Sequence, residues 1–180
     1  MNEEGVGSEE DDFIELLRMK ATKRMNRDEF EKHITEFVQS HRMCVLATSK
    51  DDAPRATPIE YRSKGLVFYM FGEPGVKIEN IQANPRVSLA VFDQSFELTG
   101  AWLDAKGIQV SGVAQIITKE GHEGEYREAL EVLGISEATL EKLGREMRII
   151  KVIPHRIELL EMGLKKQGYA PRQIWESTEQ

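Results

Sequence analysis

Apolar residues recur at helical spacing at Phe30, Ile34, Phe37 and Val38, and Asn26 stands ahead of them with Glu29 three residues on. An N-cap, a capping-box glutamate and a 3.6-residue apolar period predict an amphipathic helix from residue 26 to about His41. The period then changes. Met43 to Thr48 is a short apolar run closed by Ser49-Lys50-Asp51-Asp52, and Arg55 to Arg62 alternates loosely up to a turn at Ser63-Lys64-Gly65. Leu66-Val67-Phe68-Tyr69-Met70-Phe71 is aromatic and β-prone, and Gly72-Glu73-Pro74-Gly75 breaks it. Val76 to Ala83 reads as a short helix stopped at Asn84-Pro85, since proline cannot continue it. Strand patterns return over residues 86–92 and 108–117. Helical patterns follow between about Lys119 and Met147, broken at Gly134-Ile135-Ser136. A long last strand is expected over Arg148 to Glu161, where Pro154 calls for an edge or a bulge, and Gly168 to Trp175 reads as irregular.

Short strands separated by turn signals and flanked by helices predict a mainly β (α+β) protein, a barrel with helical additions. Glu3 to Asp12 is too polar to bury anything. Residues 1–25 are therefore expected to be an acidic, mobile N-terminal tail, with Phe13, Ile14, Leu16 and Leu17 making one short docking turn. Residues 26–180 are expected to be a single domain.

Charge narrows the function. A formal net charge of -7, with no large basic face, argues against a general nucleic-acid or anionic-membrane binder. The single cysteine, Cys44, cannot form an internal disulfide, and its apolar setting favours a small buried hydrophobe over a nucleophile. No stretch approaches the roughly 20 apolar residues of a membrane span, and the acidic start lacks the order of a signal peptide. A cytoplasmic location is expected. His33, His41, His122 and His155 have no metal-like spacing, so no metal is expected. No Gly-x-Ser-x-Gly elbow, Walker motif or dinucleotide fingerprint is present.

Against this acidic background the cations of one segment stand out. Arg55 and Thr57 lie two positions apart on a predicted strand, hence on one face, and Lys77 follows a Gly-rich turn at the start of a helix. Two cations, a hydroxyl and helix N-terminal amides suit a phosphate group. Each residue also has a plainer reading: Arg55 as a strand-end surface charge, Thr57 as a β-branched strand residue, Lys77 as a solvated helix lysine. Tyr69 reads more readily as core than as a cofactor contact. Trp102 and Trp175 are open to stacking on a ring or to packing a dimer seam.

The order of the elements, with Val45-Leu46-Ala47-Thr48, Pro54-Arg55-Ala56-Thr57-Pro58, Gly65-Leu66-Val67-Phe68-Tyr69, Lys77, Asn84-Pro85-Arg86-Val87-Ser88-Leu89 and Val110-Ser111-Gly112-Val113-Ala114, resembles the pyridoxamine 5'-phosphate oxidase-like FMN-binding split-barrel family over about Phe30 to Ile117. The resemblance implies a six-stranded split β-barrel working as a homodimer, with two FMN molecules in grooves between the subunits. It implies that the strand from Arg55 to Glu60 lies along the flavin. Arg55 would hold the phosphate, helped by Thr57, and the strand's backbone and small side chains, here Ala56 and Pro58, would face the ring. Tyr69 and Met70 would border the cofactor, and Lys77 would be a second phosphate ligand.

This chain also departs from the family pattern. Gly75-Val76-Lys77 stands where the oxidase has Ser-Arg-Lys, Met70 replaces a threonine, and the glutamine expected at the start of the later strand falls on Gly107. The substrate-gripping C-terminal Arg-x-Arg-Leu segment is not recognisable, with only Arg172 and Trp175 reminiscent of it. These losses count against true pyridoxamine phosphate oxidase activity more than against flavin binding. The expected function is an FMN-dependent oxidoreductase acting on an unidentified small molecule or NAD(P)H. The alternatives are a non-catalytic flavin-, deazaflavin- or haem-binding module and a barrel that has lost its ligand.

Overall fold

The computed structural model describes residues 9–93, 105–143 and 147–178. Trp102 lies outside these residues. One sheet organises the molecule, with strands β1 (Met43–Lys50), β2 (Ala53–Glu60), β3 (Arg62–Lys64), β4 (Val67–Gly72), β5 (Arg86–Phe92), β6 (Lys106–Ile117), β7 (Arg148–Glu161) and β8 (Arg172–Glu176). Their order is β2-β1-β5-β6-β7-β4-β3, every ladder is antiparallel, and β8 pairs with β7. The sheet curls so that β2 and β4 approach each other without pairing. This is a split barrel.

The described residues hold eight strands rather than six. The turn expected at Ser63-Lys64-Gly65 closes later, at Gly65 with φ 58°, and leaves room for the three-residue β3. The segment read as irregular supplies β8, which forms because β7 offers it a free edge from Arg156 to Leu160.

Burial alternates along β1, β5 and β6, as expected of strands with one covered face. Leu46, Leu89, Val110, Ile157, Phe68 and Met70 fill the interior. Helix α2 (Arg27–Ser40) closes it with Phe30, Ile34, Phe37 and Val38, each fully buried side chain contributing roughly 1.5–3 kcal/mol. Its N-cap is the one predicted: Asn26 Oδ1 accepts from the Glu29 N–H at 2.9 Å. Helices α4 (Glu123–Leu133) and α5 (Glu137–Leu143) cover the other face of β4 and β7, where Tyr69, Ile117, Tyr126, Leu130 and Ile149 form a second cluster.

Pro154 sits at a bulge, one of its two expected places. Ser111 pairs with Arg156 and Gly112 with Pro154, leaving His155 as the extra residue. Gly112 is needed there, since a Cβ would lie 2.7 Å from the Ile153 carbonyl oxygen. Upstream, the run expected to make one docking turn belongs to a ten-residue helix, α1 (Glu9–Arg18). Leu16 is buried and Lys165 Nζ donates to the carbonyls of Leu16 and Leu17. Among the described residues, no helix is long and apolar enough to cross a membrane.

Candidate functional site

The predicted site residues are positioned by a tight hairpin. Lys50 pairs with Ala53, so Asp51 and Asp52 form a two-residue loop, both with positive φ (49° and 60°). From there the register runs unbroken: Arg55 lies opposite Thr48, Thr57 opposite Leu46 and Ile59 opposite Cys44. Directly opposed residues share a face, and Cys44, Leu46 and Thr48 are all buried. Arg55 and Thr57 therefore project from the inner face, at the outermost strand of that end of the sheet.

Helix α3 (Val76–Ala83) packs on the same face of β1. Asn80 Nδ2 donates to Thr48 Oγ1 at 3.1 Å, and Asn84 Nδ2 donates to Ser49 Oγ at 3.2 Å. The turn leading into α3 is built for close approach. A Cβ on Gly72 would meet Ile78 Cδ1 at 3.0 Å and Ile150 Cγ1 at 3.2 Å, and Gly75 has φ 143°, a conformation suited to glycine. Lys77, half-buried, is the second residue of α3. Arg55, Thr57 and Lys77 thus belong to one face of one corner. Neither cation makes an ion pair with any described residue. The Thr57 Oγ1 atom is buried with no hydrogen-bond partner. Two cations with no ion-pair partner among the described residues and a buried hydroxyl with no hydrogen-bond partner there fit an anionic group, and rotation about χ1 would turn that hydroxyl toward one.

Ala56 and Pro58 point the other way, opposite Ala47 and Val45, which themselves pair with Ser88 and Ala90 of β5. Small side chains there let a flat ring approach the backbone. Because β2 is an edge strand, a ligand along its free edge can reach residues of both faces. Tyr69 and Met70 are not part of this arrangement through their side chains. Tyr69 is buried under α4 beside Tyr126, and desolvation followed by the Glu128 charge raises its pKa. Met70 is fully buried in the barrel interior. What this pair offers the split is backbone: β3 pairs with β4 only as far as Tyr69, so from Met70 onward that edge has no strand partner among the described residues.

Sequence reasoning missed a groove on the outer face. Pro58, Val45, Ala90, Gln109, Glu158 and Ile174 form one continuous row across β2, β1, β5, β6, β7 and β8. Where that face curves, a cavity of about 420 Å³ opens between Phe92, Gly107, Gln109, Leu160, Arg172 and Ile174. One wall is β8, which no hydropathy signal announced. Large apolar side chains are exposed on the same face, among them Met43, Phe92, Val113 and Ile174.

Three further titratable groups, Cys44, Tyr61 and Glu161, are structural. Burial pushes the Cys44 thiol up to about 12, so it is no nucleophile. Tyr61 donates to the Val38 carbonyl at 2.7 Å. Glu161 Oε2 takes both His33 Nε2 at 2.6 Å and Lys106 Nζ at 3.0 Å. Burial alone would raise the Glu161 carboxyl, but these two partners outweigh it and hold it below its ordinary range. No group of three or more His, Cys, Asp or Glu residues able to hold a metal occurs among the described residues.

An antiparallel sheet that curls on itself, splits between β2 and β4 and carries a helix at the split defines the split-barrel class. Residues 30–161 match the pyridoxamine 5'-phosphate oxidase family, and the chain belongs to that family. A FAD-binding protein from Mesorhizobium loti is 25% identical with a TM-score of 0.54, covering 70% of this chain and 88% of that one. General stress protein 26 from Bacillus anthracis, at 21% identity and a TM-score of 0.54 over 83% and 99% of the two chains, shares the fold. So does a conserved hypothetical protein from Mycobacterium tuberculosis, at 21% identity and a TM-score of 0.61 over 89% and 99%. An uncharacterised protein from Rhizobium meliloti is 37% identical over 67 residues, 37% of this chain. The match spans 41% of the length of that curated relative.

Proposed function

We propose that this protein binds FMN along β2, in a groove completed by a second copy of the chain, and acts as an FMN-dependent oxidoreductase. The observation that carries the reading is the corner of Arg55, Thr57 and Lys77: among the described residues, two cations without ion-pair partners and a buried hydroxyl without a hydrogen bond, on the side where α3 begins. A phosphate meets all three needs at once. The flavin-binding relative from Mesorhizobium loti supports the cofactor class.

In this reading Arg55 holds the phosphate, with Lys77 and the first amides of α3 sharing its charge. Thr57 donates a hydrogen bond, Ala56 and Pro58 leave space for the ring, and the free edge of β4 from Met70 borders it with main chain. Bound flavin supplies the hydride or electron transfer. The chain's own part is to bind, orient and leave one ring face open, which is why no acid/base pair stands out at β2. Gly75-Val76 removes a cation and a hydroxyl that the oxidase uses, so pyridoxamine phosphate is not the proposed substrate; a small molecule or NAD(P)H is.

The visible spectrum of the purified protein and the identity of the cofactor released on denaturation test this. A yellow chromophore released as FMN, reduced by NAD(P)H or a small-molecule donor and reoxidised, is expected. Protein that neither carries nor takes up FMN overturns the proposal. A released deazaflavin or haem, or FMN without turnover, moves the chain to the binding-module reading.

A further inference from the structure

A second closely joined region lies away from β2, and its reading does not depend on the cofactor. The N-terminal arm runs beside the C-terminal segment in the same direction, meeting it at successive points. Lys165 Nζ donates to the Leu16 and Leu17 carbonyls at 2.7 and 3.0 Å, holding the end of α1. Lys23 makes a parallel bridge with Tyr169, its ammonium 4.5 Å from that ring's centre, and the Ala170 N–H donates to the Lys23 carbonyl at 2.8 Å. The Met25 N–H donates to Gln173 Oε1 at 2.9 Å. Arg27 Nη2 donates to the Glu176 carbonyl at 3.0 Å, and Trp175 Nε1 to Glu31 at 2.9 Å.

Gln173 is the centre of this run. It is a polar side chain only 2% exposed, with Nε2 donating to the Ala170 carbonyl at 3.3 Å as Oε1 takes the Met25 N–H. It also belongs to β8, and Arg172, Gln173 and Ile174 form one wall of the outer groove. β8 is five residues long and, among the described residues, pairs with β7 alone, so its other side is secured by the arm and the first turns of α2. The arm itself is lightly held. Leu16 is buried, but Ile14, Leu17 and Met19 are 37%, 51% and 41% exposed, and Lys20, Lys23 and Arg24 are exposed.

We propose that residues 16–27 are a strap whose docking holds β8, and with it the groove wall, in place, and that Gln173 is its latch. The strap contacts the strand that forms the wall. Drawing the strap away loosens the wall, and a ligand that braces the wall tightens the strap by the same factor. The fold thereby contains a local opening that does not require unfolding the barrel.

Amide hydrogen exchange of the full chain, read by mass spectrometry, tests the coupling from both ends. Met25→Pro removes the N–H that Gln173 accepts, together with a side chain that packs on the core, and changes nothing in the sequence of β8. It is expected to speed exchange over residues 172–176 by roughly tenfold or more, with β5 and β6 at wild-type rates. Gln173→Leu is expected to speed tryptic cleavage at Lys20, Lys23 and Arg24. Lys165→Met, which leaves the latch intact, is expected to release α1 with a smaller rise over 172–176. Wild-type exchange of β8 in Met25→Pro overturns the proposal. An equal rise in β5 and β6 also overturns it, because the arm would then be part of the global fold.

Discussion

Thr57 carries two opposed requirements at one position. In the free chain its hydroxyl is buried and unsatisfied, a cost of about 1–3 kcal/mol, whereas the proposed complex gives it a partner. Thr57→Val keeps the shape and removes the hydroxyl. The variant should melt higher than wild type without cofactor, by about 1 kcal/mol of stability, and bind FMN more weakly; thermal melts with and without FMN read both signs. Arg55 differs, being exposed and without an ion pair to any described residue. Arg55→Ala should leave the melting temperature alone and weaken FMN binding roughly tenfold to a hundredfold, the usual worth of a charge-assisted contact. Flavin fluorescence titration measures it, and unchanged affinity would remove Arg55 from the site. That Arg55 and Thr57 share a face was legible in the chain, because strand parity is a period of two and the hairpin register holds it. Tyr69 reads more readily as core, and it is buried, but which covered side of β4 it enters was not legible. Both faces of β4 are covered, so neighbouring aromatic and apolar residues give no parity signal.

At the scale of elements, β7 does most of the organising. It pairs with β6, β4 and β8, and Ile149 and Ile150 bury into different clusters on its two faces. Its bulge at Pro154 depends on Gly112. Gly112→Ala should cost about 1–3 kcal/mol, as overpacking commonly does, because the carbonyl 2.7 Å from the new methyl is backbone and cannot swing aside; a urea midpoint shifted by less than the error would contradict this. The far end of β7 is tied to α2 and β6 through Glu161. Its folded pKa lies below the ordinary value near 4.5, so its contribution is present above about pH 4.5 and is lost as pH falls through the folded value. The stability advantage of wild type over Glu161→Gln, from urea midpoints at several pH values, should therefore shrink on acidification below pH 4.5. Strands with a one-sided apolar pattern, and the short helix α3 bounded by Gly75 and Asn84-Pro85, could be read ahead of time. β8 could not, since hydrogen bonding to β7 and not its own pattern makes it a strand.

For the whole molecule, the continuous outer face from Pro58 to Ile174, with Met43, Phe92 and Val113 exposed on it, is the surface expected to be covered by the proposed second copy. Light scattering should find a dimer, and alanine at Phe92 together with Val113 should shift it toward monomer and lower FMN occupancy in parallel. A monomer with full occupancy would separate the cofactor from the dimer and contradict the shared groove. An exposed apolar face is visible only once strands are laid side by side, because each residue in it looks like an ordinary strand residue alone.

The amino-acid sequence by itself determined the order of the main strands and helices, the family, and that Arg55 and Thr57 share one face of β2. These follow from local period, turn chemistry and short motifs. Tertiary structure alone decided that Met70 is buried, that β8 exists and walls a groove, and that residues 16–25 make hydrogen bonds to the C-terminal segment. Each of those depends on which distant segment lies alongside, which period, propensity and spacing along one chain do not encode.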